Sequence, residues 1–197
     1  MKIDIILAGV GGQGILSIAN IIGHAALKKG LKLKQAEVHG MSQRGGDVQS
    51  HLRLADYEIA SDLIPKGQAD LIISVEPMES LRYLPWLSST GWLITNDNPF
   101  VNIPNYPERE AVDQEFAKLP HKIVIAADHI AKELGSARSA NMVVLGAYLK
   151  AKPVVHMESI RKGLEKSLPE RHHKLIPMNL EAMKAGGDHL ELVTKSL

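Results

Sequence analysis

Two glycine-containing segments near the N-terminus hold the residue types best suited to binding an anionic ligand. The first, residues 9–14 (GVGGQG), follows a short apolar run and precedes a helical pattern. In that context a G-x-G-x-x-G sequence permits a tight turn and directs the free N–H groups of a helix start toward a phosphate. Glu37 ends the second predicted strand, roughly where dinucleotide-binding domains hold a ribose hydroxyl. The pattern favours a nucleotide site, unless the glycines serve only close helix–strand packing.

The second segment, residues 36–54 (AEVHGMSQRGGDVQSHLRL), contains a glycine pair directly after Arg44. We expect this loop to lie beside the first one at the carboxyl edge of a sheet, where open α/β domains bind ligands. Arg44 could contact a phosphate or carboxylate through two hydrogen bonds, and the glycines would let another surface approach closely. A solvated turn with an exposed arginine is the alternative. The candidate binding residues are Gly11, Gly12, Gln13, Gly14, Arg44, Gly45 and Gly46.

The sequence shows no catalytic or metal-binding set. The chain has no cysteine, which excludes disulfides, thiolate nucleophiles and Cys-ligated zinc or iron–sulfur clusters from it. Nine histidines are scattered, and we expect them at the surface or facing a partner. No His, Asp and Glu residues recur at metal-ligand spacing, and Ser42 lacks a G-x-S-x-G elbow. We therefore predict that this chain has no catalytic residue and no metal site of its own.

Length and charge limit the class of protein. A chain of 197 residues is long enough for one domain with a full core. The 23 Lys and Arg residues nearly balance 22 Asp and Glu residues, which argues against nucleic acid as a partner. No apolar run reaches membrane-spanning length, and Asp4 interrupts the apolar start that could resemble a signal peptide. These features predict a cytoplasmic protein that binds neither nucleic acid nor membrane.

Apolar periodicity predicts strands that alternate with helices, followed by a helical end. This order predicts an α/β, Rossmann-like doubly wound fold: a mostly parallel sheet with helices on both faces and a helical C-terminal extension. The α/β core would span about residues 1–136 and the extension about residues 137–197 of one domain. Residues 96–107 contain three Pro and four Asn and predict an irregular segment. The predicted strands are 3–8, 31–38, 48–54, 69–75, 92–95 and 122–126; the predicted helices are 15–29, 77–87, 128–134 (capped by Asp128), 139–149, 157–168 and 179–185.

Six segments spread over almost the whole chain carry a family resemblance. They are residues 9–15 (GVGGQGI), 37–53 (EVHGMSQRGGDVQSHLR), 62–65 (DLIP), 69–87 (ADLIISVEPMESLRYLPWL), 137–147 (ARSANMVVLGA) and 179–186 (NLEAMKAG). Together and in this order they resemble the gamma-type domain of the 2-oxoacid:ferredoxin oxidoreductases. The stretch SVEPMESLRYL resembles the indolepyruvate branch of that family, in which the small subunit is called beta.

This resemblance implies a heteromeric enzyme. A large partner subunit would hold thiamine diphosphate and 4Fe-4S clusters, decarboxylate an arylpyruvate such as indolepyruvate, reduce ferredoxin and form an acyl-CoA. The present chain would bind no cofactor, would place its glycine loops near the partner's cofactor or CoA, and would be inactive alone. Isolated, it could self-associate. Asp47 departs from the small residue common in the family at this position, and it could pair with Arg44.

Two other functions remain open at this point. A stand-alone NAD(P)-dependent Rossmann oxidoreductase is favoured by Gly9, Gly11, Gly14 and Glu37, although no substrate-domain catalytic set follows them. A nucleotide-sensing or assembly module without catalysis would use the same loop.

Overall fold

The computed structural model describes residues 1–39, 45–152, 155 and 157–195. Within these residues six strands form one sheet, and no helix there is long and apolar enough to cross a membrane. The strands are β1 (Lys2–Val10), β2 (Lys32–His39), β3 (Asp47–Ala55), β4 (Ala69–Ser74), β5 (Leu87–Asn96) and β6 (Lys122–Ile125). The helices are α1 (Ile15–Lys28), α2 (Pro77–Arg82), α3 (Arg109–Ala117), α4 (Ala127–Glu133), α5 (Ala140–Ala151), α6 (Met157–Ser167) and α7 (Ile176–Lys195). Short 3-10 turns span Leu84–Trp86, Ala137–Ser139 and Glu170–Leu175.

Strand β3 is the one antiparallel strand among those described. The sheet order is β2-β3-β1-β4-β5-β6, and β1, β4, β5 and β6 run parallel. β3 pairs antiparallel with β1 on one side and with β2 on the other. The mostly parallel sheet confirms the predicted class. Because β3 runs backwards, it begins at the edge of the sheet where β1 ends.

Helices cover both faces of the sheet, as predicted. Side chains alternate along β1, so that Ile5 and Leu7 join the core formed with α1, α5 and α7. Ile6 and Ala8 join a second, smaller core with Phe116 of α3 on the opposite face. All four β1 side chains are fully buried. This two-sided burial explains the nearly continuous apolar sequence of β1.

The last helix corrects the prediction of a helix that ends at residue 185. α7 continues through Gly186 and Gly187 because it packs directly against the backbone of α5. A Cβ on Gly186 would lie 2.0 Å from the carbonyl oxygen of Val143, and one on Gly146 would lie 1.8 Å from that of Met183. The glycines therefore permit close contact between two helices rather than ending one of them.

Two other predicted helix boundaries were wrong. The helix predicted over residues 77–87 ends at Arg82, since Pro85 has no N–H and its ring cannot be accommodated in a continuing helix. Asp128 does not cap α4, which begins one residue earlier. The side chain of Asn96 takes that role instead: its Oδ1 accepts a hydrogen bond from the N–H of Ala127 at 3.0 Å.

His51 corrects the expectation of surface or partner-facing histidines. Its side chain is only 4% exposed. Its Nδ1 accepts a hydrogen bond from the N–H of Ile64 at 3.0 Å, and its ring meets the Trp86 ring edge to face. Burial lowers the pKa of His51, and the charge of Arg53 lowers that pKa further. His51 therefore supports the fold as a neutral side chain.

The opposite, amino edge of the sheet is held by a buried ion pair. Asp4 is fully buried, and its Oδ1 lies 2.8 Å from Nε of Arg53. Nη1 of Arg53 also donates hydrogen bonds to the carbonyl oxygens of Ser61 and Leu63, both at 3.0 Å. These bonds fix residues 56–65 at the amino edge, away from both glycine loops.

The glycines of α7 allow a test with neighbouring positions. We expect Gly186→Ala to lower the free energy of unfolding by about 1–3 kcal/mol, because the added methyl group must separate α7 from α5. Gly187→Ala should be neutral or stabilising by up to about 1 kcal/mol, since alanine is favoured in helices and a Cβ there meets nothing closer than 3.6 Å. Urea unfolding of both variants measures the difference. Equal effects would contradict the proposed backbone contact.

His51 should also contribute to a pH dependence of stability. Because its pKa is lower in the folded chain, the unfolded chain binds a proton more readily. The contribution of His51 is therefore complete above the unfolded pKa of about 6.5 and is lost as the pH falls from there through the lower pKa of the folded chain. His51→Asn keeps an acceptor without a titrating ring. Urea unfolding between about pH 7.5 and 5 should show a steeper loss of stability in the wild type than in this variant; parallel curves would refute the assignment.

Candidate binding site at the carboxyl edge of the sheet

The two glycine loops are neighbours in the structure. The N–H of Gly11 donates a hydrogen bond to the carbonyl oxygen of Gly46 at 2.8 Å. This contact follows directly from the β1–β3 ladder, whose last pair is Val10 with Asp47. The described end of the second loop, Gly45 and Gly46, therefore lies beside the first loop at the carboxyl edge, as the sequence led us to expect. Residues 40–44, and with them Arg44, lie outside the described residues.

The glycines of the first loop serve different purposes. A Cβ on Gly9 would lie 2.7 Å from the Val75 side chain, so this glycine permits close packing of strand and helix. Gly14 has a φ of +79°, and a Cβ there would meet the Asn141 side chain at 2.4 Å. Gly12 also has a positive φ, but nothing lies within 4 Å of its Cβ direction. Of these three glycines, Gly12 is the one that leaves space for an approaching group.

Gln13 closes the first loop on itself. The side-chain Oε1 of Gln13 accepts a hydrogen bond from the N–H of Val10 at 2.8 Å. The main-chain N–H of Gln13 donates a hydrogen bond to the carbonyl oxygen of Val10. The N–H groups of Gly11 and Gln13 are thus already engaged. No described residue accepts a hydrogen bond from the N–H of Gly12 or Gly14. The loop can offer these two N–H groups to a ligand, together with the first turn of α1.

Glu37 lies too far from the first loop to complete a dinucleotide site of the usual kind. In such sites the strand with the acidic residue is next to the strand that precedes the glycine loop. Here β3 is inserted between β2 and β1, which adds one strand spacing of about 4.8 Å. The Glu37 carboxylate also accepts a hydrogen bond from Nε2 of Gln35 at 2.6 Å. The predicted ribose contact is therefore not formed by the sheet.

A cavity of about 290 Å³ opens beside the first loop. Gly12 and Gln13 line one side of this cavity, which we call the carboxyl-edge cavity. Arg138 at the N-terminal end of α5 lines another side, is exposed, and has no hydrogen bond or ion pair with the described residues. The Asp128 carboxylate, which accepts a hydrogen bond from Nδ2 of Asn96 at 2.6 Å, adds an acceptor. The cavity therefore pairs a free guanidinium with a fixed carboxylate.

Sequence reasoning missed the far wall of this cavity. Asn96 is the last residue of β5, and Asp128 follows β6 by three positions. Polar residues at the carboxyl ends of parallel strands are the signal that could have identified them. Arg138 and Asn141 lie in residues 137–147, which carry the family resemblance and the start of a predicted helix but no predicted binding role. Nothing local in the sequence indicates that α5 faces the glycine loop.

The other side of the second loop is acidic and partly buried. Glu79 is 3% exposed, and burial raises its pKa, although the guanidinium of Arg82 at 2.9 Å opposes this rise. Burial raises the pKa of Tyr83 to about 12, with Asp47 adding to the rise. The charge of Asp47 also raises the pKa of Arg82, after the hydrogen bond and charge of Glu79, so Arg82 is the described cation near Asp47.

Among the residues that the structure describes, no three His, Asp or Glu side chains come together in a way that could hold a metal ion. Of the polar groups in the carboxyl-edge cavity, Asn96 and Asp128 are bonded to each other and Gln13 to its own loop. This arrangement can recognise a ligand that has both an anionic group and hydrogen-bond donors.

Comparisons with known proteins agree with the architecture. Residues 4–189 match the family "Pyruvate ferredoxin/flavodoxin oxidoreductase". The chain is 36% identical to the indolepyruvate oxidoreductase subunit IorB of Archaeoglobus fulgidus, over 94% of each chain. A keto/oxoacid ferredoxin oxidoreductase gamma subunit from Geobacter sulfurreducens has a similar fold, with a TM-score of 0.71, 22% identity, and coverage of 96% of this chain and 99% of that one.

A second solved structure has the same fold inside a larger polypeptide. The 2-oxoglutarate:ferredoxin oxidoreductase of Magnetococcus marinus, solved with 2-oxoglutarate, coenzyme A and succinyl-CoA bound, matches with a TM-score of 0.75 and 19% identity. The match covers 97% of this chain but only 31% of that one. The fold thus occurs both as a separate subunit and as part of a longer chain. The present chain belongs to the pyruvate ferredoxin/flavodoxin oxidoreductase family and is similar over almost its whole length to a separate subunit of a 2-oxoacid oxidoreductase.

Proposed function

We propose that this chain is the small subunit of a cytoplasmic indolepyruvate:ferredoxin oxidoreductase, in which it supplies a binding surface and no catalytic group. The large subunit holds thiamine diphosphate, which stabilises the carbanion formed when the oxo acid loses CO₂, and 4Fe-4S clusters that pass two electrons to ferredoxin. The acyl group passes to the thiol of CoA. The absence of cysteine from the present chain fits this division, because it has no thiolate ligand for a cluster.

The hydrogen bond between Gly11 and Gly46 is the observation that carries this proposal. It brings Gly46, in the described end of the second loop, against the first loop, which lines the carboxyl-edge cavity through Gly12 and Gln13. A partner approaching this edge would bring its reaction centre against both loops. The identity of 36% with an indolepyruvate oxidoreductase subunit supports indolepyruvate, or a related arylpyruvate, as the oxo acid.

We infer that the carboxyl-edge cavity receives part of the CoA that reacts on the large subunit. Arg138 and the free N–H groups at the start of α1 suit a phosphate. Asp128 suits a hydroxyl or amide donor on the same molecule. Gly45 and Gly46 have no side chains, so that the partner can come close to the backbone at this end of the second loop. Arg44 would add a second cation from the segment between β2 and β3.

The stand-alone NAD(P) enzyme and the nucleotide-sensing module fit the structure less well. Both need the first loop to hold a dinucleotide or nucleotide tightly, yet the inserted strand β3 removes Glu37 from the ribose position. A thermal-shift screen of the isolated chain with NAD, NADP, FAD, CoA and thiamine diphosphate separates these functions. A ligand present at 100 times its Kd would stabilise the fold by about 2.7 kcal/mol. We expect no such stabilisation by NAD or NADP.

Reconstitution tests the proposed function directly. The isolated chain should not oxidise indolepyruvate with ferredoxin or NAD. Mixed anaerobically with its thiamine- and cluster-binding large subunit, it should give CoA-dependent reduction of ferredoxin. Turnover by the isolated chain, or a large subunit that is equally active alone, would contradict the proposal.

Arginine substitutions test the inferred CoA contact. Arg138→Ala should raise the KM for CoA about tenfold in the reconstituted enzyme, because a charge-assisted hydrogen bond to a phosphate is lost. The kcat should change little, since the arginine does not touch the reacting thiol. Arg44→Ala should act in the same direction if its guanidinium meets the same ligand or the partner.

Arg171→Ala is a matched control for these substitutions. Arg171 is exposed, and its Nε donates a hydrogen bond to the neighbouring His172, outside the carboxyl-edge cavity. Its KM for CoA should equal that of the wild type. An unchanged KM in both Arg138→Ala and Arg44→Ala would mean that CoA does not meet these arginines, and the inferred CoA contact would then be withdrawn.

A further inference from the structure

Residues 97–107, which join β5 to α3, form an ordered strap over the carboxyl edge. The strap has no helix or strand, and neither the sequence motifs nor the segments of the family resemblance include it. It presents two large apolar side chains to solvent: Phe100 is 44% exposed and Val101 is 69% exposed. Single exposed apolar side chains are common on protein surfaces. Two adjacent ones form a contiguous apolar patch, which is the feature that marks interaction sites.

A buried carboxylate fixes the shape of the strap. Glu76 is 1% exposed and lies at the end of β4, where it caps α2 by accepting a hydrogen bond from the N–H of Glu79 at 2.7 Å. Its other oxygen accepts hydrogen bonds from the N–H of Phe100 at 3.2 Å and from the hydroxyl of Tyr106. Burial and this bond to Glu76 raise the pKa of Tyr106, so the phenol remains a donor. Both halves of the strap are thus tied to one buried group.

The strap is also attached to the second glycine loop. Nδ2 of Asn102 donates a hydrogen bond to the carbonyl oxygen of Gly45 at 2.7 Å. Gly46 in turn accepts the hydrogen bond from Gly11. The first loop, the second loop and the strap are therefore linked through main-chain carbonyl groups into one continuous surface. Phe100 and Val101 lie at one end of this surface.

A cavity of about 320 Å³ opens beside these exposed side chains. Of the two exposed side chains, Val101 lines this cavity, together with the apolar Val112, Phe116 and Val124. Charged residues line it as well: Asp97, Glu108, Arg109 and Asp113. Pro99 and Pro104 of the strap complete the rim. Since prolines restrict the backbone, the cavity does not depend on a mobile wall. Its volume suits one or two apolar side chains of another protein.

We propose that the strap, with Phe100 and Val101 as apolar anchors, is the surface by which this chain docks onto its large partner subunit. This inference rests on the proposed function. A stable interface covers about 800 Å² on each partner, which is far more than two glycine loops provide. A partner seated on those loops must therefore extend onto the adjoining surface, and the strap adjoins them through Asn102 and Gly45. The large subunit places an apolar side chain in the cavity beside Val101.

Anaerobic titration with the purified large subunit tests this docking surface. Phe100→Ser with Val101→Ser in one chain should raise the Kd for the large subunit at least about tenfold, as expected when buried interface anchors are lost. The matched control combines Leu63→Ser and Leu175→Ser, whose side chains are 53% and 44% exposed. Leu63 lies at the amino edge, and neither belongs to the strap, so this control should bind like the wild type. Circular dichroism and thermal unfolding verify that both chains are folded.

Tyr106→Phe gives a second measurement that keeps the exposed side chains. It removes the phenol hydrogen bond to Glu76 while the ring stays in place. Amide hydrogen exchange should become faster in residues 99–106 of the isolated chain and stay unchanged in β1 and β4. The Kd for the large subunit should rise several-fold, because a looser strap must be ordered on binding.

Each outcome decides for or against the strap. A selective loss of binding in the strap variants supports it. If these variants bind and support turnover like the wild type, the docking surface is elsewhere, while the proposed function stands. If the wild-type chain does not bind the large subunit at all, the proposed function fails and this inference with it. If the double variant changes only self-association of the isolated chain, the strap is a contact between two copies and the proposal is refuted.

Discussion

Antiparallel pairing of β3 between β1 and β2 is the constraint on which the rest of the carboxyl edge depends. Because β3 runs opposite to β1, the residues that start β3 lie next to the residues that end β1. The second glycine loop is therefore placed beside the first, and the hydrogen bond from Gly11 to Gly46 closes the contact. The same strand separates Glu37 from the first loop and removes the geometry of a dinucleotide site. The antiparallel pairing of β3 thus creates the proposed partner surface and also disfavours a stand-alone NAD(P)-dependent enzyme.

Backbone contacts of two kinds hold the parts that this pairing positions. On the α5 side, glycines let α5 and α7 touch directly. Arg138, at the N-terminal end of α5, lines the same cavity as the first loop. The loop in turn reaches α5, because Asn141 donates a hydrogen bond to the carbonyl oxygen of Gly14 at 3.3 Å. On the α2 side, Glu76 holds the strap through a main-chain N–H and a phenol. Main-chain partners have fixed positions, so these contacts define the surface more narrowly than contacts between long side chains would.

The proposed division of labour follows from what this surface lacks as well as what it contains. A subunit that positions a partner and part of a substrate needs rigid loops, open space and a few charges. The described carboxyl edge has these in its glycine loops, its cavity of about 290 Å³ and Arg138. Iron–sulfur clusters are bound by cysteine thiolates, and the sequence contains no cysteine. The same fold also occurs as 31% of a longer chain, in the 2-oxoglutarate:ferredoxin oxidoreductase of Magnetococcus marinus.

The sequence by itself determined most of the periodic elements, the fold class and the family, although helix α3 (Arg109–Ala117) was not predicted. Apolar runs such as residues 3–8 and 69–75 are read correctly because burial on both faces leaves a local signature. The glycine segments and the resemblance located both loops, since their composition is also local. Arg44 remains a prediction from sequence, because it lies outside the described residues.

Tertiary structure alone decided how these elements meet. Strand periodicity does not specify a neighbour, so the insertion of β3 was not visible in it. Gly186 looked like a helix end, yet the proximity of Val143 makes it a helix–helix contact. Glu76 and Asn96 each follow a predicted strand. Their hydrogen-bond partners are 24 to 32 positions away in the chain. Contacts between such distant residues arise from packing, and no local pattern in the sequence encodes them.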